Sequence, residues 1–371
     1  MGKITRRALL LGGAGLGVSG GVMGLSWVRG SNRYEDLVKR TWQSVEPVGQ
    51  AFPNSHERLV AYACMAANAH NTQPWKFSVF EDRIHIAPDF NRATPVVDPE
   101  HRHLFASLGC AVENLSVAAQ ASGFSAPVTF QDDGCTVHLI GDEKAASRSN
   151  PRFEAISNRQ CVRANYDGRS LSDADLQGLR EALDDEEVSA FLVTNRAEID
   201  QLRDLILSAN SVQLKSQAFR DELKAWIRFS GREAAETRDG LYAPASGNPA
   251  VPGWLGRRIF DLVVSADGEN AKYAEQIASS AGLVVLAAHR DDPIGWMQAG
   301  QSCQRFALEA TARGVRYAFL NQPIEVAEML PELQAMLGTD LRPNLLMRFG
   351  YGPTLPRSLR RSAEDVITRS G

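Results

Sequence analysis

Two short stretches of this 371-residue sequence carry side chains whose types and spacing suit ligand chemistry. The first runs from Ala66 to Phe77, where Asn68, Asn71 and Gln73 precede Pro74 and Trp75. Proline fixes its own φ and pushes the residue before it out of helical backbone. A helix reaching Ala67 must therefore end, and the amides project from an irregular corner between a helix and a strand. Such a corner can present recognition groups; the same residues also suit a polar helix-end loop plugged by Trp75. The second stretch holds Arg159, Cys161 and Arg163, spaced by two. In a strand all three share a face, and in a helix Arg159 and Arg163 sit one turn apart. Either way the guanidiniums stay together, and two forks suit a phosphate dianion. A pair of solvated surface arginines is the plainer alternative.

Other chemistries find little support. The five cysteines are odd in number, scattered and without a C-x-x-C pair, so they read as small buried hydrophobes. No Ser-His-Asp, Cys-His or metal cluster stands out. His101 and His103 lack partners at metal-ligand spacing, and His70 beside Asn71 reads as a loop residue. A formal charge of −4 without a basic stripe argues against nucleic acid as a partner. The tail with Arg357, Arg360 and Arg361 is the local exception. Apolar content of 44% and charged content of 23% are those of a soluble globular protein, with length for two domains or two halves of one core.

The elements that must position these residues begin after residue 30. Residues 1–30 place Thr5-Arg6-Arg7 before an apolar, glycine-rich run from Ala8 to Val28, the pattern of a twin-arginine export signal. A spanning or retained tether is the alternative. The expected location is thus periplasmic, or anchored on the outer side of a bacterial inner membrane, with the twin-arginine export machinery as partner. A linker, 31–55, carries a short helix at 34–44. A first half, 56–150, has a helix at 57–67, the amide loop, a β-rich segment at 75–86, a long helix at 104–122, and strands near 128–130 and 136–140. In that long helix Leu104, Leu108, Val112, Leu115 and Ala119 form one buried stripe. A second half, 151–371, contains a near copy. Gly109, Glu113, Leu115, Ala119 and Gly123 correspond to Gly300, Gln304, Phe306, Ala310 and Gly314, all at an offset of 191. The repeat points to duplication of a whole unit, with the early glycines allowing close approach of two backbones. Residues 238–257, with three prolines and four glycines, are expected to form a lid.

HNTQPW resembles the N-x-Q-P-W loop of the nitroreductase family of FMN-dependent oxidoreductases. Arg159, Cys161 and Arg163 resemble that family's R-x-S-x-R/K phosphate motif, with Cys161 where serine is usual. The stretch RFGYGPTLPRSLRR resembles its last strand and second set of phosphate-binding cations, Arg360 foremost. The likeness covers most of the chain after residue 50 and points to the Acg-like branch, in which two such halves are fused. It implies an α+β fold duplicated in one chain as an intramolecular pseudo-dimer, hence a monomer.

The first half lacks the phosphate motif and the second lacks N-x-Q-P-W, so one composite FMN site is implied. Asn71 and Gln73 would approach the ring, and Arg159, Cys161, Arg163 and Arg360 the phosphate. Asn321 or Gln322, in the loop FLNQP, would stand beside the reactive edge and stabilise developing charge. Trp296 and Met297, placed just before the second long helix, would pack or stack on a substrate. The implied activity is two-electron transfer to a small electron-poor acceptor, a nitroaromatic or quinone. Because NAD(P)H is scarce outside the cytoplasm, an FMN-binding or sequestering protein with little turnover is the alternative.

Overall fold

A computed structural model of the chain describes residues 32–43, 55–142 and 150–368. The expected export segment at 1–30 and residues 44–54 of the linker lie outside the described residues. A helix at 32–42 (α1) comes first, then α2 (Ser55–Cys64). This second helix stops before the expected Ala67 because the amides of Met65 and Ala66 turn back onto the Tyr62 and Ala63 carbonyls. The β-rich segment is a hairpin of β1 (Trp75–Val79) and β2 (Arg83–Pro88). After α3 (Arg102–Ala121), β3 (Val128–Gln131) and β4 (Gly134–His138) form a second hairpin around Asp132 and Asp133.

The second half opens with α4 (Pro151–Asn158), α5 (Asp173–Ala182) and β5 (Val188–Val193). Ser172 caps α5, its side chain accepting from the Asp175 amide. A run of helices follows: α6 (Arg196–Lys215), α7 (Gln217–Trp226), α8 (Gly231–Thr237), α9 (Gly253–Val263) and α10 (Ala266–Ala278). Then come β6 (Gly282–Ala288), α11 (Pro293–Ala312), β7 (Arg316–Phe319), α12 (Gln322–Glu325), α13 (Leu330–Leu337), β8 (Leu345–Gly350) and α14 (Ala363–Val366). Trp296 and Met297 lie inside α11, not before it. Asp292 caps the Gly295 amide and Pro293 takes the first turn, so the helix starts earlier than the apolar pattern implied.

The fold is α+β, and its two sheets follow one plan. The first has the order β1-β2-β4-β3 and the second β7-β8-β6-β5, both antiparallel throughout. Each unit runs strand, strand, long helix, strand, strand, with the fourth strand set between the second and third. The helices α3 and α11 start and stop 191 residues apart and pack together at the centre. A Cβ on Gly109 would lie 1.8 Å from the Met297 carbonyl oxygen, and one on Gly300 1.9 Å from that of Ala106. These contacts exchange under the 191 offset. So do Glu113 with Arg305, at 3.5 Å, and Asn114 with Gln304, at 2.7 Å. Reciprocal pairing of this kind is the mark of a two-fold contact, here within one chain.

Apolar residues of α2, α3 and the first sheet make one core, and those of α11 against the second sheet another. A third lies on that sheet's far face under α6 and α10. The chain interlocks its halves: the tail after β8 returns to the first sheet, where the Thr368 amide donates to the Phe77 carbonyl at 2.8 Å.

Candidate functional site

Between the halves lies a cavity of about 360 Å³, within the ~300–1,000 Å³ usual for ligand pockets. Ala67, Asn68 and His70 of the amide loop line one side, with Ser107 and Cys110 of α3. Across from them stand Arg163, then Asn321, Gln322 and Glu325 around the start of α12. Phe219 and Leu223 of α7, Phe260 of α9, and Ala243 and Ser246 of the 238–257 segment roof it over. That segment is more regular than expected. It pairs Leu241–Tyr242 with Ile227–Arg228, turns helically at Ala243–Ser246, and ends in α9.

The amide loop is held from both halves. Gln304 of α11 accepts from the Ala67 amide at 3.1 Å, and Ser107 of α3 accepts from the Ala69 amide at 3.2 Å. His70, Asn71 and Gln73 have φ of 46°, 55° and 54°, left-handed backbone that costs a non-glycine residue energy and persists only where the surroundings enforce it. The expected ring-facing amides supply that enforcement. Asn71 donates to the carbonyls of Gly240 (2.9 Å) and Leu359 (3.0 Å). Gln73 donates to that of Arg238 (2.9 Å) and accepts from the Arg361 amide (2.7 Å). Their side chains thus pin the 238–257 segment and the carboxy-terminal tail, while Asn68 and His70 reach the cavity. Burial, then Arg163 and His103, pulls the His70 imidazole down to about 4, so it is neutral near pH 7. Its Nδ1 is buried without a hydrogen-bond partner.

Residues 159–163 run extended along β7: Cys161 pairs with Tyr317, and the Val162 amide donates to the Tyr317 carbonyl at 2.8 Å. The two arginines of the motif separate. Arg163 enters the cavity and reaches Ser246 Oγ at 3.4 Å. Arg159, 2% exposed, donates to Tyr317 Oη and to the Met65 carbonyl, each at 2.6 Å. Its companion there is Arg360, which donates to the Ala66 carbonyl at 3.3 Å. Arg357 and Arg316 complete a cluster of four guanidiniums, none with a carboxylate partner among the described residues. Burial first, then Arg159 and Arg316, pushes Arg357 down to about 10. Burial and then Arg159 push Arg360 down to about 9. A guanidinium does not lose its proton in a protein, so these depressions measure the cost of crowding buried cations. The Nε atoms of Arg159, Arg316 and Arg360 are buried without partners. Trp42 of α1 closes the cluster, its ring 4.6 Å from the Arg357 guanidinium and 5.0 Å from that of Arg360.

No family model matches the chain. Among curated proteins it is 23% identical over 353 residues to "Putative NAD(P)H nitroreductase Rv3131" of Mycobacterium tuberculosis strain H37Rv, covering 87% of this chain and 96% of that protein. To "Putative NAD(P)H nitroreductase acg" of the same strain it is 22% identical over 322 residues, covering 83% and 93%. Over most of its length the chain is thus similar to proteins named as Acg-like nitroreductases. Among solved structures, the FMN-dependent nitroreductase NfnB from Mycobacterium smegmatis, in complex with NADPH, matches at 15% identity and a TM-score of 0.38. It covers 60% of this chain and 98% of its own.

The cavity brings together Arg163, Asn321 and Gln322 from the sequence-derived set, and the adjoining cluster brings together Arg159 and Arg360. Asn321 also fixes β8, its Oδ1 accepting from the Leu346 amide at 2.9 Å. Gln322 Oε1 is buried without a partner. Sequence reasoning missed His103, Gln213 and Glu325, which meet at the cavity from α3, α6 and α12. They lie over a hundred positions apart in the chain and no local spacing joins them. The signal available was only that His103 falls beside the buried stripe of its helix. Trp42 as a cover for the arginines was equally invisible.

Proposed function

We propose that the protein is an exported, FMN-dependent oxidoreductase of the nitroreductase type, acting on an electron-poor small molecule such as a quinone or nitroaromatic. One observation carries the reading: four guanidiniums with no carboxylate partner among the described residues, crowded behind the Met65 and Ala66 carbonyls, directly before the loop residues that line the inter-half cavity. Such a cluster fits a phosphate dianion, which would satisfy the unpartnered Nε atoms and relieve the mutual repulsion. Arg159 and Arg360 would hold the phosphate, with Arg357 and Arg316 behind them and Cys161 alongside. Arg163, neutral His70 and Asn68 would meet the polar edge of the ring, and Asn321 and Gln322 its reactive side. Bound there, the flavin would supply two-electron transfer between a reduced nicotinamide and the acceptor.

The chain's own part is positioning and exclusion. The apolar roof from α7, α9 and the lid segment shields the cavity from water, which strengthens every charge interaction inside it. The repeated topology and the exchanged helix contacts support descent by duplication and fusion, leaving one composite site. The Arg6-Arg7 leader supports export by the twin-arginine route to the outer side of the inner membrane.

The test is direct. The full chain should purify with the absorption of an oxidised flavin, or acquire it with FMN, and should oxidise NADPH in the presence of a quinone. Arg159→Ala combined with Arg360→Ala removes two charge-assisted contacts of ~1.5–3 kcal/mol each, and FMN affinity should fall by roughly 10² or more. Undiminished affinity in the double variant, or a wild-type chain that never binds FMN, overturns the reading.

A further inference from the structure

Three side chains from three elements converge in the lining of the cavity. Glu325 closes α12, with its side chain 15% exposed. Gln213 of α6 donates to its Oε2 at 2.6 Å. His103 of α3, from the other half, places Nδ1 3.5 Å from its Oε1. A buried carboxyl that serves only the fold is normally paired with a guanidinium or several amides. Here the nearest arginine in the cavity, Arg163, hydrogen-bonds Ser246 instead, and Glu325 has one amide donor and one loosely held imidazole.

We propose that Glu325 is the proton donor to the acceptor seated in this cavity, with His103 as the positioning residue that returns the proton. The inference rests on the functional reading above and extends it to a residue of this chain. Reducing a quinone to a hydroquinone adds two electrons and two protons' worth of hydrogen. One hydrogen arrives with the electron pair from the reduced cofactor. The second proton passes from the Glu325 carboxyl to the quinone oxygen, leaving a carboxylate that His103 reprotonates.

The surroundings favour a donor. Burial raises the Glu325 carboxyl above the usual range, against the opposing pull of His103, Gln213 and Arg163, while Asp98 adds to the rise. From α10, Tyr273, Glu269 and Lys272 also face the cavity, and burial raises Tyr273 so that it stays neutral. Asp98 is engaged in holding the Leu104 amide at 2.9 Å. Glu325 is thus a carboxyl of the cavity lining that holds its proton more tightly than usual and lies within reach of a ligand. The imidazole beside it is the side chain suited to passing protons near neutral pH.

The experiment compares two acceptors on the full, flavin-loaded chain: benzoquinone, which needs protons, and ferricyanide, which takes electrons alone. Glu325→Gln should slow benzoquinone reduction by roughly 10²-fold, the usual scale of general acid catalysis, and leave ferricyanide reduction within about twofold. Glu325→Asp should recover part of the loss, and His103→Gln should shift the pH profile with benzoquinone only. Without turnover, infrared spectra followed through a pH titration should show a protonated-carboxyl band that persists above the usual carboxylate range and that Glu325→Gln removes. Equal slowing with both acceptors, an unchanged benzoquinone rate, or a band that persists in the variant would each overturn the assignment. Should Glu325→Gln fail to fold, the Asp and His103 variants carry the same comparison. A chain without flavin absorption sinks the functional reading itself, and the same samples reveal which of the two has failed.

Discussion

His70 packs an ordinary loop residue into an unusual state. Its backbone is left-handed, its ring lines the cavity, and burial beside Arg163 and His103 holds it neutral down to pH about 4. In the unfolded chain the same ring takes a proton below the ordinary value of 6.5. Between those limits the unfolded state binds more protons, so stability must fall as pH falls. His70→Gln keeps a polar side chain but cannot titrate. Its unfolding free energy should lose roughly 2 kcal/mol less than the wild type's between pH 7 and pH 4, allowing for the ring's partial opening to the cavity. Parallel pH dependences of wild type and variant in urea titrations would show that the ring is not held neutral. The positive φ of His70, Asn71 and Gln73 could not be read from HNTQPW, because nothing in a hexapeptide reveals the carbonyls of Gly240, Leu359 and Arg238 that enforce it.

Among elements, α3 and α11 decide most. Their sequences repeat at a fixed offset, and their contact repeats with it: Gly109 against Met297, Gly300 against Ala106. An added methyl at either glycine would meet backbone oxygen at under 2 Å, which no rotamer change relieves. Gly300→Ala should therefore cost at least ~3 kcal/mol, with Gly109→Ala similar and the pair non-additive, since each enlarges one shared gap. Urea midpoints of the three variants check this; a loss under 1 kcal/mol would mean that the helices are free to separate. The periodic stripe made both helices legible, and the paired glycines made their closeness legible. The start of α11 was misplaced because Asp292 and Pro293 begin the helix ahead of its apolar stripe.

For the whole molecule, the two units hold unequal parts of the site. The amide loop belongs to the first, the Arg159–Arg163 strand and α12 to the second, and the tail with Arg360 crosses between them. The expected outcome is one FMN per chain, measured by flavin absorbance against protein mass across the protein boundary in sedimentation. Two per chain would contradict a single composite site. The helix α1 belongs to this assembly too: Tyr34 donates to the Arg357 carbonyl at 2.6 Å and Trp42 to that of Ser358 at 3.1 Å, over the arginines. Trp42→Ala should open the anion end and speed FMN release about tenfold, the scale of a cation–π contact of ~1–2 kcal/mol, without slowing turnover at saturating FMN. Stopped-flow release that matches the wild type would show α1 to be a bystander.

By itself the sequence determined the class of elements, the twinned central helices, the corner loop and the arginine-bearing strand, because these follow from local rules: side-chain period, proline's fixed φ, and alternation along extended chain. Tertiary structure alone decided which side chains face the cavity. It turned Asn71 and Gln73 into clasps for the 238–257 segment and the tail, paired Arg159 with Arg360 in place of Arg163, and set His103 beside Glu325. Those outcomes depend on how two halves and a returning tail close around one space, and contacts across hundreds of residues leave no periodic trace in the chain that makes them.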